Sequence, residues 1–159
     1  MSPRDYPKQP IPGVGGVIWR GEEVLLVRQE KYPELGNDFW SIPGGGQETG
    51  ESVEQALRRE VFEETGVEIS IGPLILVADV IRRDQNQQVK THFTVLDFRC
   101  EWLSGEASPA SDVVETRWVH RSELPNYRMW TLTAETIASS YDWSGPTRVR
   151  NEPAFIPTS

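Results

Sequence analysis

Ser52-Val53-Glu54-Gln55-Ala56-Leu57-Arg58-Arg59-Glu60-Val61-Phe62-Glu63-Glu64-Thr65-Gly66 is the stretch that decides the fold of this chain. Ser52 followed by Gln55 has the form of a capping box, in which side chains and backbone exchange hydrogen bonds at a helix start. Gly66 supplies the left-handed residue that ends a helix. At about 100° per residue, Val53, Ala56, Leu57 and Val61 fall on one apolar stripe. Glu60 and Glu64 project from the middle of that stripe, and Glu63 from its edge. A pure packing face would carry Leu or Ile there, because an uncompensated buried carboxylate costs several kcal/mol. The helix dipole also disfavours negative charge in the last turn. A solvated acidic face would lie opposite the stripe. The pattern therefore calls for a cation to gather these carboxylates, and a divalent metal is the simplest candidate.

Strand signals surround this helix. Upstream, residues 14–19 and 24–27 are apolar runs separated by Arg20-Gly21-Glu22-Glu23, the pattern of a β-hairpin. A polar loop at 31–38 leads to Phe39-Trp40-Ser41-Ile42-Pro43. Gly44-Gly45-Gly46 follows, and is expected to be a loop with unusual backbone angles. Downstream, residues 67–71 and 74–81 are expected to form two strands. Residues 91–100 form a longer one, apolar on both faces (Phe93 and Val95 against Leu96 and Phe98) and so expected at the sheet centre. A loop at 102–110, a short strand at 116–119, a turn at 121–124 and a second helix at 131–141 complete the reading. The fold class is α/β, a mixed β-sheet flanked by helices. The domain spans 13–142, between a flexible proline-rich arm at 1–12 and a tail at 143–159 with little regular structure.

Composition narrows the function. The chain has 159 residues, enough for one domain with a real core. No segment approaches the roughly 20 apolar residues of a membrane span, so no membrane partner is expected. The first twelve residues lack the apolar core of a secretory signal. A single cysteine, Cys100, excludes an internal disulfide and a multi-cysteine zinc site, and suits a cytoplasmic protein. Net charge is −8, with 24 acidic against 16 basic residues, so nucleic acid is not an expected partner. An anionic substrate remains compatible if a metal ion cancels the local field.

From Gly45 the spacing runs five residues to Glu51, seven more, then Arg59-Glu60-Val61-x-Glu63-Glu64-x-Gly66-Val67. This resembles the Nudix box, the signature of hydrolases of nucleoside diphosphates linked to another group, and Trp40-Ser41-Ile42-Pro43-Gly44-Gly45 resembles the family's lead-in. The resemblance implies an α/β/α sandwich and hydrolysis of a diphosphate P–O–P bond by metal-activated water. It implies Mg²⁺ as cofactor, with Mn²⁺ able to substitute. Glu60 and Glu64 would be the principal metal ligands, with Glu63 close by and the Gly44 carbonyl as a further ligand. Arg59 would orient a neighbouring glutamate through a bidentate pair. The general base would be a box glutamate, Glu63 or Glu60, or an acid from a later loop. Glu115 leads those later candidates, ahead of Glu106 and Asp112.

The substrate expected is a small-molecule nucleotide: a nucleotide sugar, ADP-ribose or a (d)NTP. ADP-ribose pyrophosphatases of the family commonly carry a proline past the box, where this chain has Arg82 and Arg83. Diadenosine polyphosphate hydrolases carry a tyrosine slightly further on, where Asp84 and Gln85 lie. The general run of the chain is similar to small bacterial ADP-ribose or NTP pyrophosphatases. A homodimer is the family default. A ligand-sensing domain without turnover is the alternative, although such domains usually have a damaged box. An isoprenoid diphosphate isomerase of the same fold would need a catalytic cysteine, and Cys100 falls inside an expected strand.

Overall fold

The computed structural model describes residues 3–30 and 35–152, so part of the expected loop at 31–38 and the end of the tail lie outside the described residues. The capping-box helix is α1, Val53–Thr65. The Ser52 hydroxyl accepts from the Gln55 backbone N–H at 3.1 Å, and the Gln55 side chain accepts from the Ser52 N–H at 2.9 Å. Gly66 ends the helix at φ 75°, its N–H bonded to the Phe62 carbonyl.

Before α1 come β1 (Ile11–Arg20), β2 (Glu23–Gln29), β3 (Trp40–Ser41) and β4 (Gly44–Gly46). After it come β5 (Glu68–Arg83), β6 (Val89–Ser104), β7 (Val113–His120), α2 (Thr131–Ser140) and β8 (Arg148–Glu152). β1 and β2 form the expected hairpin around Gly21. The described strands make one mixed sheet in the order β3-β2-β1-β6-β5-β8, with β4 also paired to β1 and β7 to β2. β6 lies at the centre as expected, parallel to β1 and antiparallel to β5.

Alternation along β1 divides the core between two faces. Val17 and Trp19 pack with Leu76, Ala78 and Ile137 on the α2 side. Val14 and Ile18 pack with Phe98, Cys100, Ala56, Leu57 and Val61 under α1. Helices therefore cover both faces of the sheet, the α/β/α arrangement that was expected.

Four elements differ from the sequence reading. The two strands expected at 67–71 and 74–81 are one strand, β5, whose pairing with β6 shifts between Ile71 and Leu74. Gly72 and Pro73 sit at that irregularity, where a bulge lets the chain bend without leaving the sheet. The tail adds β8 as a parallel edge strand on β5. It lacks an apolar run because an edge strand need not face the core, and Val149 is 72% exposed. The arm is anchored: Tyr6 donates its backbone N–H to the Lys90 carbonyl at 2.7 Å and its hydroxyl to Asp84 at 2.8 Å. The turn expected at 121–124 is a 3-10 helix, Arg121–Asn126.

Candidate active site

α1 presents its acidic groups to β4. Arg59 reaches Glu51 with two parallel bonds, Nε to Oε2 at 2.6 Å and Nη2 to Oε1 at 2.9 Å. Its Nη1 also meets Glu60 at 2.9 Å and Glu63 at 3.3 Å, and Nη2 donates to the Gly46 carbonyl at 3.1 Å. One guanidinium thus ties the helix to the glycine strand. It holds the Glu51 carboxyl down at about 2, helped by the Glu48 N–H. Glu60 moves the other way, because burial outweighs the pull of Arg59.

Glu64 is only 2% exposed. Its oxygens accept from the Gly44 N–H at 2.8 Å and from Gln29 Nε2 at 2.6 Å, both neutral donors. Burial, reinforced by the charges of Asp112 and Glu60, pushes its carboxyl up to about 7 against those two bonds. Among the described residues no cation pairs with this buried acid, so the place is short of positive charge.

The surroundings of the box add to the sequence reading and change one part of it. Arg59 of the same helix already pairs with Glu51, Glu60 and Glu63, beside the divalent metal that was expected to gather Glu60, Glu63 and Glu64. Among the described residues no three His, Cys, Asp or Glu side chains converge closely enough to hold a metal as they stand. Gly44–Gly46 is not a loop with unusual angles but a strand, antiparallel to β1, and none of its glycines has a positive φ. Closeness demands glycine instead. A Cβ on Gly44 would overlap the Val14 carbonyl, and one on Gly45 would stand 2.5–2.6 Å from the Glu60 carboxyl. Gly44→Ala is therefore expected to displace the amide that holds Glu64. It should lower both the melting temperature and activity, while Gly50→Ala, in open space at positive φ, should affect only stability. Thermal melts beside turnover check this.

The later acids separate. Glu115 lies on β7 opposite Arg28 and is taken up by Arg28, at 3.2 Å, and Arg117. Those two arginines outweigh its partial burial and hold its carboxyl below the usual range. Asp112 is the later acid whose charge acts on Glu64. The loop before β7 brings it there, for Ser108 and Ala110 donate backbone bonds to the Thr65 and Glu64 carbonyls. Gln29 was missed, since a glutamine at a strand end carries no sequence signal.

A cleft of about 230 Å³ runs from β4 along the α2 side of the sheet. Gly44, Gly45, Gly46 and Gln29 line it, together with Phe39, Ile42, Trp130 and Leu132. Phe39 and Trp130 meet edge to face, with ring centroids 4.7 Å apart. The floor is β6 with its neighbours, where Asp97 lies between Gly15 and Leu76. Asp97 is 7% exposed, and burial pushes its carboxyl up to about 7.

A mixed sheet between helices, with buried acids behind a glycine strand that lines a cleft, defines a class of small α/β domain. Known proteins place the chain within it. The NUDIX domain model matches residues 9–139, and the chain belongs to that family. It is 31% identical over 116 residues to an ADP-ribose pyrophosphatase of Methanocaldococcus jannaschii, covering 73% of this chain and 65% of that protein. It is 36% identical over 121 residues to the NAD-capped RNA hydrolase NudC of Pseudomonas aeruginosa, covering 76% of this chain and 39% of that one. The chain thus spans under two thirds of the length of these relatives. Its fold is similar to the crystal structure of a MutT protein from Bacillus halodurans, with TM-score 0.75 at 20% identity, covering 94% of this chain and 95% of that one. Among the described residues no helix is long and apolar enough to cross a membrane.

Proposed function

We propose that this chain hydrolyses the diphosphate bond of a nucleoside diphosphate linked to another group, with a divalent metal ion. The observation that carries this reading is Glu64: a buried carboxyl beside Glu60 and Asp112, held among the described residues by neutral donors from Gly44 and Gln29, both of which line the cleft.

The donor set fits a hard cation, because it offers only oxygens and an excess of negative charge. Glu60 and Glu64, with Glu63 and the Gly44 carbonyl nearby, are the groups that would hold Mg²⁺ or Mn²⁺. When bound, such an ion supplies positive charge for the diphosphate and lowers the pKa of water. The chain's own residues do the rest. Arg59 keeps Glu51 ionised and fixes Glu60 and Glu63 against β4. The glycines of β4 let Glu60 and the neighbouring β1 backbone approach closely. A box glutamate, Glu63 or Glu60, accepts the proton of the attacking water. Asp112 replaces Glu115 as the outside candidate, since Glu115 is committed to two arginines.

A panel of ADP-ribose, nucleotide sugars, dinucleotides and (d)NTPs, with and without Mg²⁺, tests the reading. Release of a nucleoside monophosphate or pyrophosphate with Mg²⁺ and not in EDTA supports it. Saturable binding with no turnover on any member would support the sensing alternative instead.

A pH dependence follows from the two raised carboxyls. Glu64 and Asp97, both near 7 when folded, bind protons more tightly in the folded chain than in the unfolded one, where such groups titrate near about 4. Their contribution to stability is fully present below about pH 4 and is lost as pH rises through about 7. In EDTA the melting temperature should therefore fall between pH 5 and 8, and Glu64→Gln or Asp97→Asn should flatten that fall. Mg²⁺ should oppose the loss above pH 7, where Glu64 is free to bind it.

A further inference from the structure

Asp97 takes no part in the glutamate cluster. It sits at the centre of the sheet, paired in register with Gly15 on β1 and Leu76 on β5. Val95, Ala78 and Ile42, all apolar, line the cleft with it, while Arg99, the next residue of β6 on that face, is turned to the Ser140 and Tyr141 carbonyls. No hydrogen bond or ion pair to its carboxyl is formed among the described residues, and burial alone accounts for its raised pKa. Among the described residues no fully enclosed side-chain N or O lacks a partner. The Asp97 oxygens must therefore open onto the cleft, whose wall Asp97 forms.

Gly15 is what makes this possible. A Cβ there would overlap Asp97 Oδ1 and stand 3.1 Å from Ile42 Cδ1. The carboxyl lies across a backbone that has been kept bare for it. A core position would be served better by Val or Leu, since a lone buried carboxyl is costly to the fold. A ligand that supplies donors would remove that penalty. The cleft also says which kind of ligand. At about 230 Å³ it is smaller than the roughly 300–1,000 Å³ of sites that enclose whole ligands, so it suits one ring system. The Phe39–Trp130 pair offers that ring an aromatic wall.

We propose that Asp97 reads the base of the substrate, and that this base presents two adjacent N–H donors, as guanine does with N1–H and its 2-amino group. Two parallel bonds to one carboxyl satisfy both oxygens at once. Adenine would turn a ring-nitrogen lone pair toward the same group. This rests on the nucleotide-hydrolase reading above and deepens it.

The test compares GMP and AMP binding in EDTA by calorimetry, beside kcat/KM for dGTP and dATP with Mg²⁺. The wild type should favour guanine at least ~10-fold in both, and Asp97→Asn, which replaces one acceptor by a donor, should erase the preference. Gly15→Ala, which pushes the carboxyl aside, should do the same if Asp97→Asn folds poorly. A wild type without guanine preference, or a preference unchanged in both variants, overturns the assignment. Turnover of dGTP and dATP alike would sink the base reading and leave the hydrolase reading standing. Tight GMP binding without turnover of any substrate would do the reverse.

Discussion

Glu64→Gln is expected to lower turnover by on the order of 10²–10³ or more while leaving the fold intact. Two features of its surroundings make the two effects separable. The carboxyl is buried and, among the described residues, receives neutral donors from Gly44 and Gln29. A glutamine of the same shape can still accept from Gly44 with its oxygen, and Gln29 can turn its amide over to present oxygen to the new NH₂. The variant also removes a buried charge, so its melting temperature at pH 8 in EDTA should equal or exceed that of the wild type. What it loses is the negative charge offered to a cation. Mg²⁺ should accordingly stabilise the wild type and have little effect on the variant. Wild-type turnover by a folded Glu64→Gln protein would sink the metal assignment.

Arg59→Ala should produce the second largest effect, and of a different kind. Arg59 bonds Glu51, Glu60, Glu63 and the Gly46 carbonyl. Removing it leaves three carboxylates close together without their cation, and unties α1 from β4. Stability and activity should fall together, with a drop of several degrees in melting temperature that Mg²⁺ partly restores. Arg59→Lys keeps the charge but cannot make the bidentate pair with Glu51, so it should rescue stability more than activity. Melts and turnover of the three proteins decide the point. If Arg59→Ala melts like the wild type, this guanidinium is not the tie between helix and glycine strand.

The sequence carried the helix and its defect clearly, because capping, apolar period and C-terminal glycine all act within fifteen residues of chain. Glu64 proved buried among Ala56, Leu57 and Val61, as the stripe required. The central place of β6 was legible for a similar reason: a strand covered on both faces is apolar on both. Tertiary partners were not legible. Nothing local says that the Gly44 amide and Gln29 will meet Glu64, or that Arg59 will pair with Glu51, Glu60 and Glu63 at once. β8 escaped notice because an exposed edge strand needs no apolar pattern. Asp97 stands in a run that reads as ordinary core strand, and its isolation becomes visible only when Gly15 is laid against it. The motif supplied the chemistry of the acids. The rest of the cleft had to be read from the fold.

The most direct measurement is hydrolysis of a nucleoside diphosphate substrate in ¹⁸O-labelled water with Mg²⁺, with the products resolved by mass. The account predicts cleavage between the two phosphorus atoms, with one ¹⁸O carried by a product phosphate and far less of it formed by Glu64→Gln. Label on the sugar carbon instead of phosphate, or intact substrate across the whole panel, would contradict it.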